Sequence, residues 1–143
     1  MVNLRNVFDE LVRTKALLWS TFDRELVRAG AVGLGPLSMM GTIGALGRCR
    51  VQDLAIDAVI TAGGASQAID RLVKSGHCRR LDNPEDRRSS LVELTEEGRS
   101  ALAEGSALYE SLLADVFVEV PEHRVKAMAE TLSALRVAIA PGD

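Results

Sequence analysis

The chain has 143 residues, of which 47% are hydrophobic and 26% charged, and a formal net charge of −3. That suffices for one compact domain with its own core, and it excludes disordered, collagenous and multidomain chains. Two cysteines, Cys49 and Cys78, are too few for a secreted disulfide framework and lack the paired spacing of a structural zinc site, so no metal, disulfide or cofactor is expected.

Asp9 and Glu10 stand near the start, with no basic-then-apolar run ending in a small-residue cleavage site. The expectation is no signal peptide and a cytoplasmic location. Leu4, Phe8, Leu11, Leu18, Phe22 and Leu26 recur at helical steps and predict a first helix over 4–28. Residues 29–47 carry no charge, but six glycines and Pro36 dilute their apolarity. A turn and a buried helix from Pro36 to about Leu46 are expected there, with Met39, Met40 and Ile43 inward, and no membrane span.

Residues 52–58 predict a short third helix. Thr61 is the expected N-cap of a fourth helix, running from Ala62 to Ser75 and closed by Gly76. Two short helices with a tight connection form a helix-turn-helix pattern. The period then changes to two: Cys78–Leu81 and Ser90–Leu94 read as strands joined by the turn-rich run Asp82 to Asp86, a β-hairpin wing. Thr95 caps a fifth helix with Glu96 and Glu97 in its first turn, and Pro121 breaks it and opens a sixth.

Charge is uneven along this order. Residues 1–47 carry +1, residues 48–90 carry +2 and residues 91–143 carry −6. A basic middle and an acidic tail suit a protein that turns one face to a polyanion. The terminal helices hold more apolar stripe than one core of this size needs. Leu4, Phe8, Leu11, Leu113, Val125, Met128, Leu132, Leu135 and Ile139 are therefore expected at a homodimer interface.

Several motifs on this frame resemble those of the MarR family of transcriptional regulators. They are Gly76-His77-Cys78-Arg79-Arg80, Asp82 through Arg88, and Leu91-Val92-Glu93-Leu94-Thr95-Glu96-Glu97-Gly98, with Leu54-Ala55, Leu72 and Gly76 upstream. The order of elements agrees along nearly the whole chain. His77 stands where that family has a large apolar residue, Gly63 and Gly64 open the recognition helix, and Gln67 replaces a frequent arginine. The resemblance implies a mainly α fold with a small β-wing, a single MarR-like domain over 1–143. Within it, a winged helix-turn-helix module at 36–94 is flanked by dimerisation helices at 1–29 and 95–143. It also implies a homodimeric repressor of double-stranded DNA whose release is controlled by a small ligand; with only His77 and His123, in different regions, and no phosphate-cradling glycine loop, zinc-protease helix pattern or nucleophile elbow, no enzyme is expected.

On the recognition helix, Ala65, Ile69, Leu72 and Val73 are expected to face inward, leaving Ser66, Gln67, Asp70, Arg71 and Lys74 outside. Gln67 suits an adenine edge, Arg71 a guanine or a phosphate, and Ser66 either, while Thr61 and Lys74 suit phosphate. In the wing, Arg87 and Arg88 are candidates for a minor groove, with Asp86 orienting Arg88 through a charge-assisted hydrogen bond. The resemblance selects Arg80 over Arg79 for the DNA side. The alternative for Arg80 is an ion pair to Asp82 or Glu85.

All five aromatics lie outside residues 23–108, which argues against a stacking platform for single strands or RNA. Trp19, Phe22, Met39 and Met40 are expected around an apolar crevice for a small aromatic or phenolic effector that alters the spacing of two recognition helices. Two rival readings remain. One is a helical dimer adaptor or antirepressor without DNA affinity, and the other is a thiol-based redox regulator using an exposed Cys78 beside His77 and Arg79.

Overall fold

The structure is a computed structural model and describes residues 1–140. Among them, six helices and three strands follow the order α1 (Leu4–Arg28), α2 (Leu34–Leu46), β1 (Cys49–Arg50), α3 (Val51–Ala58), α4 (Ala62–Lys74), β2 (Cys78–Leu81), β3 (Leu91–Leu94), α5 (Glu96–Phe117) and α6 (Glu122–Ile139). The chain divides into two compact units, one from Met1 to Tyr109 and one from Glu110 onward.

The first unit holds the helix-turn-helix and the sheet. Its core gathers Met39, Met40 and Ile43 of α2, Leu54 of α3, Ile69 and Leu72 of α4, and Cys49, Cys78, Val92 and Leu94 of the strands. The sheet is antiparallel in the order β1-β3-β2, with Cys49 opposite Val92 and Cys78 opposite Leu94. Alternation along β3 sends Val92 and Leu94 into the core and leaves Glu93 on the other face.

The helix ends follow their caps. Thr61 Oγ1 accepts from the Gly64 N–H at 3.0 Å and Thr95 Oγ1 from the Gly98 N–H at 3.0 Å, as the spacing predicts. Gly76 closes α4 at φ +81°, where a side chain is strained. Thr95 also donates its hydroxyl to the Gly76 carbonyl, and its N–H to the His77 carbonyl, so the start of α5 is tied to the end of α4. Gly98 sits so close to His77 that a Cβ there would fall inside van der Waals contact with the His77 carbonyl oxygen.

Some boundaries differ from the sequence reading. The second helix begins at Leu34, not Pro36, because Asp23 on α1 reaches across to accept the Leu34 N–H at 2.8 Å. That cap is tertiary and has no local sequence sign. The third strand begins at Leu91, since the Ser90 hydroxyl oxygen accepts from Arg80, and α5 ends at Phe117, before Val120. Residues 29–47 hold a 13-residue helix, and no helix among the described residues is long and apolar enough to cross a membrane.

The second unit contains the end of α5 and all of α6. No residue of α6 is buried in the single chain, and Met128, Leu132, Leu135 and Ile139 are exposed. In the first unit, Leu4, Phe8 and Leu11 of α1 are likewise exposed.

Candidate nucleic-acid interface

Helix α4 has two faces, as an amphipathic helix must. Ala65, Ile69 and Leu72 are buried, whereas Gln67, Asp70, Arg71 and Lys74 are exposed and Ser66 is half-buried. Val73 departs from the inward set: it is 37% exposed, because Leu72 already fills the contact to the core at that turn. Thr61 and Gly63 are exposed, and Gly63 has open space around its Cα. The first turn of α4 therefore presents backbone rather than side chains.

Arg80 takes neither of the partners expected from its neighbours in sequence. Its guanidinium crosses from β2 to α4, where Nη2 donates to Asp70 Oδ1 at 2.6 Å and lies 3.5 Å from Ser66 Oγ, while Nη1 donates to Ser90 Oγ at 2.9 Å. Asp70 is the one acid on α4 and would repel a phosphate backbone. Arg80 neutralises it and fixes the wing strand against the helix.

The wing organises itself. Asn83 is its buried polar residue, at 8% exposed; its Nδ2 donates to Ser89 Oγ at 3.3 Å and its Oδ1 accepts from the Glu85 N–H at 3.1 Å. Asp86 Oδ1 accepts from the backbone N–H of Arg88 at 2.9 Å, and Oδ2 accepts from the Ser89 hydroxyl at 3.4 Å. Asp86 therefore shapes the turn that carries Arg88 and does not bind its guanidinium, which corrects the expected side-chain bond. The reason is reach, since an Asx turn closes on the N–H two residues on. Arg87 and Arg88 are exposed and enter no ion pair among the described residues, and the same holds for Arg71 and Lys74.

Behind this face the sheet carries a second charge cluster. Glu93 on β3 accepts from Arg79 Nε at 2.8 Å and from Arg48 Nε at 3.0 Å. These two guanidinia hold its carboxyl below the usual glutamate range. At the start of α3, Asp53 accepts from the backbone and guanidinium of Arg50, which lowers its carboxyl too.

A cavity of about 600 Å³ opens beside α4, with Trp19, Val32, Met39, Ala68, Arg71 and His77 among its walls. Trp19 and Met39 lie where a crevice was expected, but Phe22 and Met40 do not. Met40 is fully buried in the core, and Phe22 is buried edge-to-face against Tyr109 at 5.4 Å. Sequence spacing marks both as apolar and inward, and does not separate a cavity wall from a packed core. Ser75 Oγ donates to the Leu72 carbonyl at 3.0 Å and is hydrogen-bonded to His77 Nδ1 at 2.8 Å.

The cysteines correct the redox reading. Cys49 and Cys78 sit on outer strands with β3 between them, and both are free and buried. Cys78 is 3% exposed, and burial, with the nearby Cys49 thiol, pushes its thiol up to about 11. It is not the exposed thiol that the sequence reading placed there.

Comparison with known proteins agrees with this architecture. Residues 37–90 match the MarR family model. The DNA-bound MarR family regulator Sco3205 of Streptomyces coelicolor superimposes with a TM-score of 0.88 at 24% identity, covering 99% of this chain and 92% of that one. A MarR family regulator of Rhodococcus sp. RHA1 gives 0.82 at 19% identity over 100% and 99% of the two chains. FabT of Streptococcus pneumoniae, in complex with DNA, gives 0.75 at 15% identity over 96% and 97%. No curated protein sequence is matched. Residues 37–90 thus match the MarR family model, and the chain shares its fold with solved regulators of that family.

Proposed function

We propose that the chain is a transcriptional repressor that acts as a homodimer on a pseudo-palindromic duplex, from within the cytoplasm, and is released by a small aromatic or phenolic ligand. In this reading residues 36–94 form the DNA-binding module, with residues 1–29 and 95–143 supplying the dimer helices. Helix α4 enters the major groove with Ser66, Gln67 and Arg71 at base edges and Thr61 and Lys74 at phosphates, and Arg87 and Arg88 reach a minor groove. Arg80 serves as the residue that holds wing and helix together. The ligand occupies the cavity beside Trp19 and Met39.

One observation carries the reading. Arg71, Lys74, Arg87 and Arg88 are exposed without ion-pair partners among the described residues, while the single acid of α4 is neutralised by Arg80. A face with free cations and a masked carboxylate suits a polyanion. The DNA complexes of Sco3205 and FabT, which share the fold, support the choice of duplex DNA.

Fluorescence anisotropy on a duplex from upstream of the chain's own gene, against scrambled DNA and across salt concentrations, tests it. Nanomolar, sequence-selective affinity that falls steeply with salt is expected. Arg88→Ala should weaken binding to all sequences, and Arg71→Ala should also change sequence preference. Random-sequence selection covers the case of a distant operator. If it recovers no preferred duplex and affinity stays weak and insensitive to salt, the reading fails and a protein partner replaces DNA.

A further inference from the structure

A second cavity, of about 470 Å³, lies between α2, α5 and the sheet and shares no lining residue with the one beside α4. Gly41, Gly44 and Ala45 of α2 border it, as do Arg99, Leu102 and Ala103 of α5, each set at i, i+3 and i+4 on its helix. A Cβ on Gly41 would meet nothing within 4 Å, so the cost of a glycine inside that helix is not offset by closer packing. Buried Ile43 and Leu94, with half-buried Leu102, supply apolar walls. Arg48, Glu93 and Arg99 are the charged residues of the lining. Glu93 Oε2 accepts from Arg48 Nε and Oε1 from Arg79 Nε, which leaves each carboxylate oxygen one further acceptor position. Arg48 gives only its Nε, and its two Nη groups have no hydrogen-bond partner among the described residues. Arg99 is held in place by the Leu94 carbonyl at 3.2 Å and by Glu96 at 3.4 Å.

We infer that this cavity is a second ligand site, which takes an α-amino acid with an aliphatic side chain. The free Nη groups of Arg48 bind the carboxylate, the spare acceptor positions of Glu93 bind the ammonium, and Ile43, Leu94 and Leu102 cover the side chain. The charges select this class. A simple anion would lie against Glu93 and a simple amine against Arg48, whereas a ligand with both signs on neighbouring atoms meets an opposite charge at each. A cavity of this volume holds a molecule the size of leucine, and its apolar lining is aliphatic. The inference uses none of the residues assigned to DNA and stands apart from the repressor reading.

The probes are L-leucine, its des-amino analogue 4-methylpentanoate and its des-carboxy analogue 3-methylbutylamine, titrated into the full chain by calorimetry without DNA. Leucine should bind about tenfold tighter than either analogue, since each lacks one charge-assisted hydrogen-bonding group. Arg48→Gln should bring leucine down to the affinity of the amine, and Glu93→Gln should bring it down to that of 4-methylpentanoate. Gly41→Leu, which fills the cavity and leaves the charged groups in place, should abolish binding of all three probes. Circular dichroism identifies any variant that fails to fold, and the remaining variants then decide. No binding of leucine at millimolar concentration, leucine no tighter than its analogues, or a preference for leucine that survives unchanged in the folded variants would each overturn the inference.

Discussion

At Val59 the backbone takes a left-handed conformation, φ +54° and ψ +47°, and this is the one non-glycine residue with positive φ among those described. It closes α3 and turns the chain into α4 through the N–H bond of Ile60 to the Ala55 carbonyl. A β-branched residue fits that conformation badly, at a cost of roughly 1–2 kcal/mol. The side chain is 88% exposed, so no packing is recovered in exchange. Glycine would relieve the strain but returns roughly 0.4–1 kcal/mol of freedom to the unfolded chain. Val59→Gly should therefore stabilise the protein by about 0.5–1 kcal/mol, seen as a higher urea midpoint at unchanged slope. A variant no more stable than wild type would mean that the turn is not strained in solution.

At the scale of elements, the sheet is small, and β1 contributes only two residues to it. Side chains reinforce it: Glu93 on the central strand binds Arg79 of β2 and Arg48 just before β1. Because the folded carboxyl titrates below its unfolded value, the unfolded chain takes up the proton first on acidification. The stabilisation is thus complete above the ordinary glutamate range, roughly pH 4.3, and is lost as pH falls through the lower, folded value. Urea midpoints from pH 7 to 3 should fall more steeply for wild type than for Glu93→Gln, and parallel curves would remove Glu93 from the acid response. This cluster also marks the limit of what the sequence discloses. Thr61, Thr95 and Gly76 announce their helix ends because a cap acts within three or four residues. The Arg80–Asp70 pair joins two elements, the Asp23 cap spans 11 residues, and Asn83 is polar in a turn yet buried, so none of them has a local signature. Elements and their order were legible, along with the free cations of α4 and the wing. The partners of each charge, and which apolar residues line a cavity, depend on packing that spacing alone does not encode.

At the scale of the whole molecule, the single chain leaves much apolar surface uncovered. None of the 18 residues of α6 is buried in the single chain, and Val125 is only half-buried, although Val125, Met128, Leu132, Leu135 and Ile139 recur at alternating three- and four-residue steps. Leu4 and Phe8 are 77% and 62% exposed on α1. Each large apolar side chain left in water forgoes roughly 1.5–3 kcal/mol of burial. A helix whose apolar seam is left largely uncovered is stable when a second chain supplies the missing contact. The net −6 of residues 91–143 opposes that association only through like charges that approach within roughly 10 Å, since those further apart are screened at moderate salt. The wild-type chain should therefore run as a dimer in light scattering at micromolar concentration, and Leu132→Glu with Leu135→Glu should shift it to a monomer. The same double variant should lose affinity for a two-half-site duplex while keeping its affinity for a single half-site. That split separates a lost dimer from a damaged α4, because the second would weaken both duplexes alike. A wild-type chain that stays monomeric, or a double variant that stays dimeric, would place the interface elsewhere.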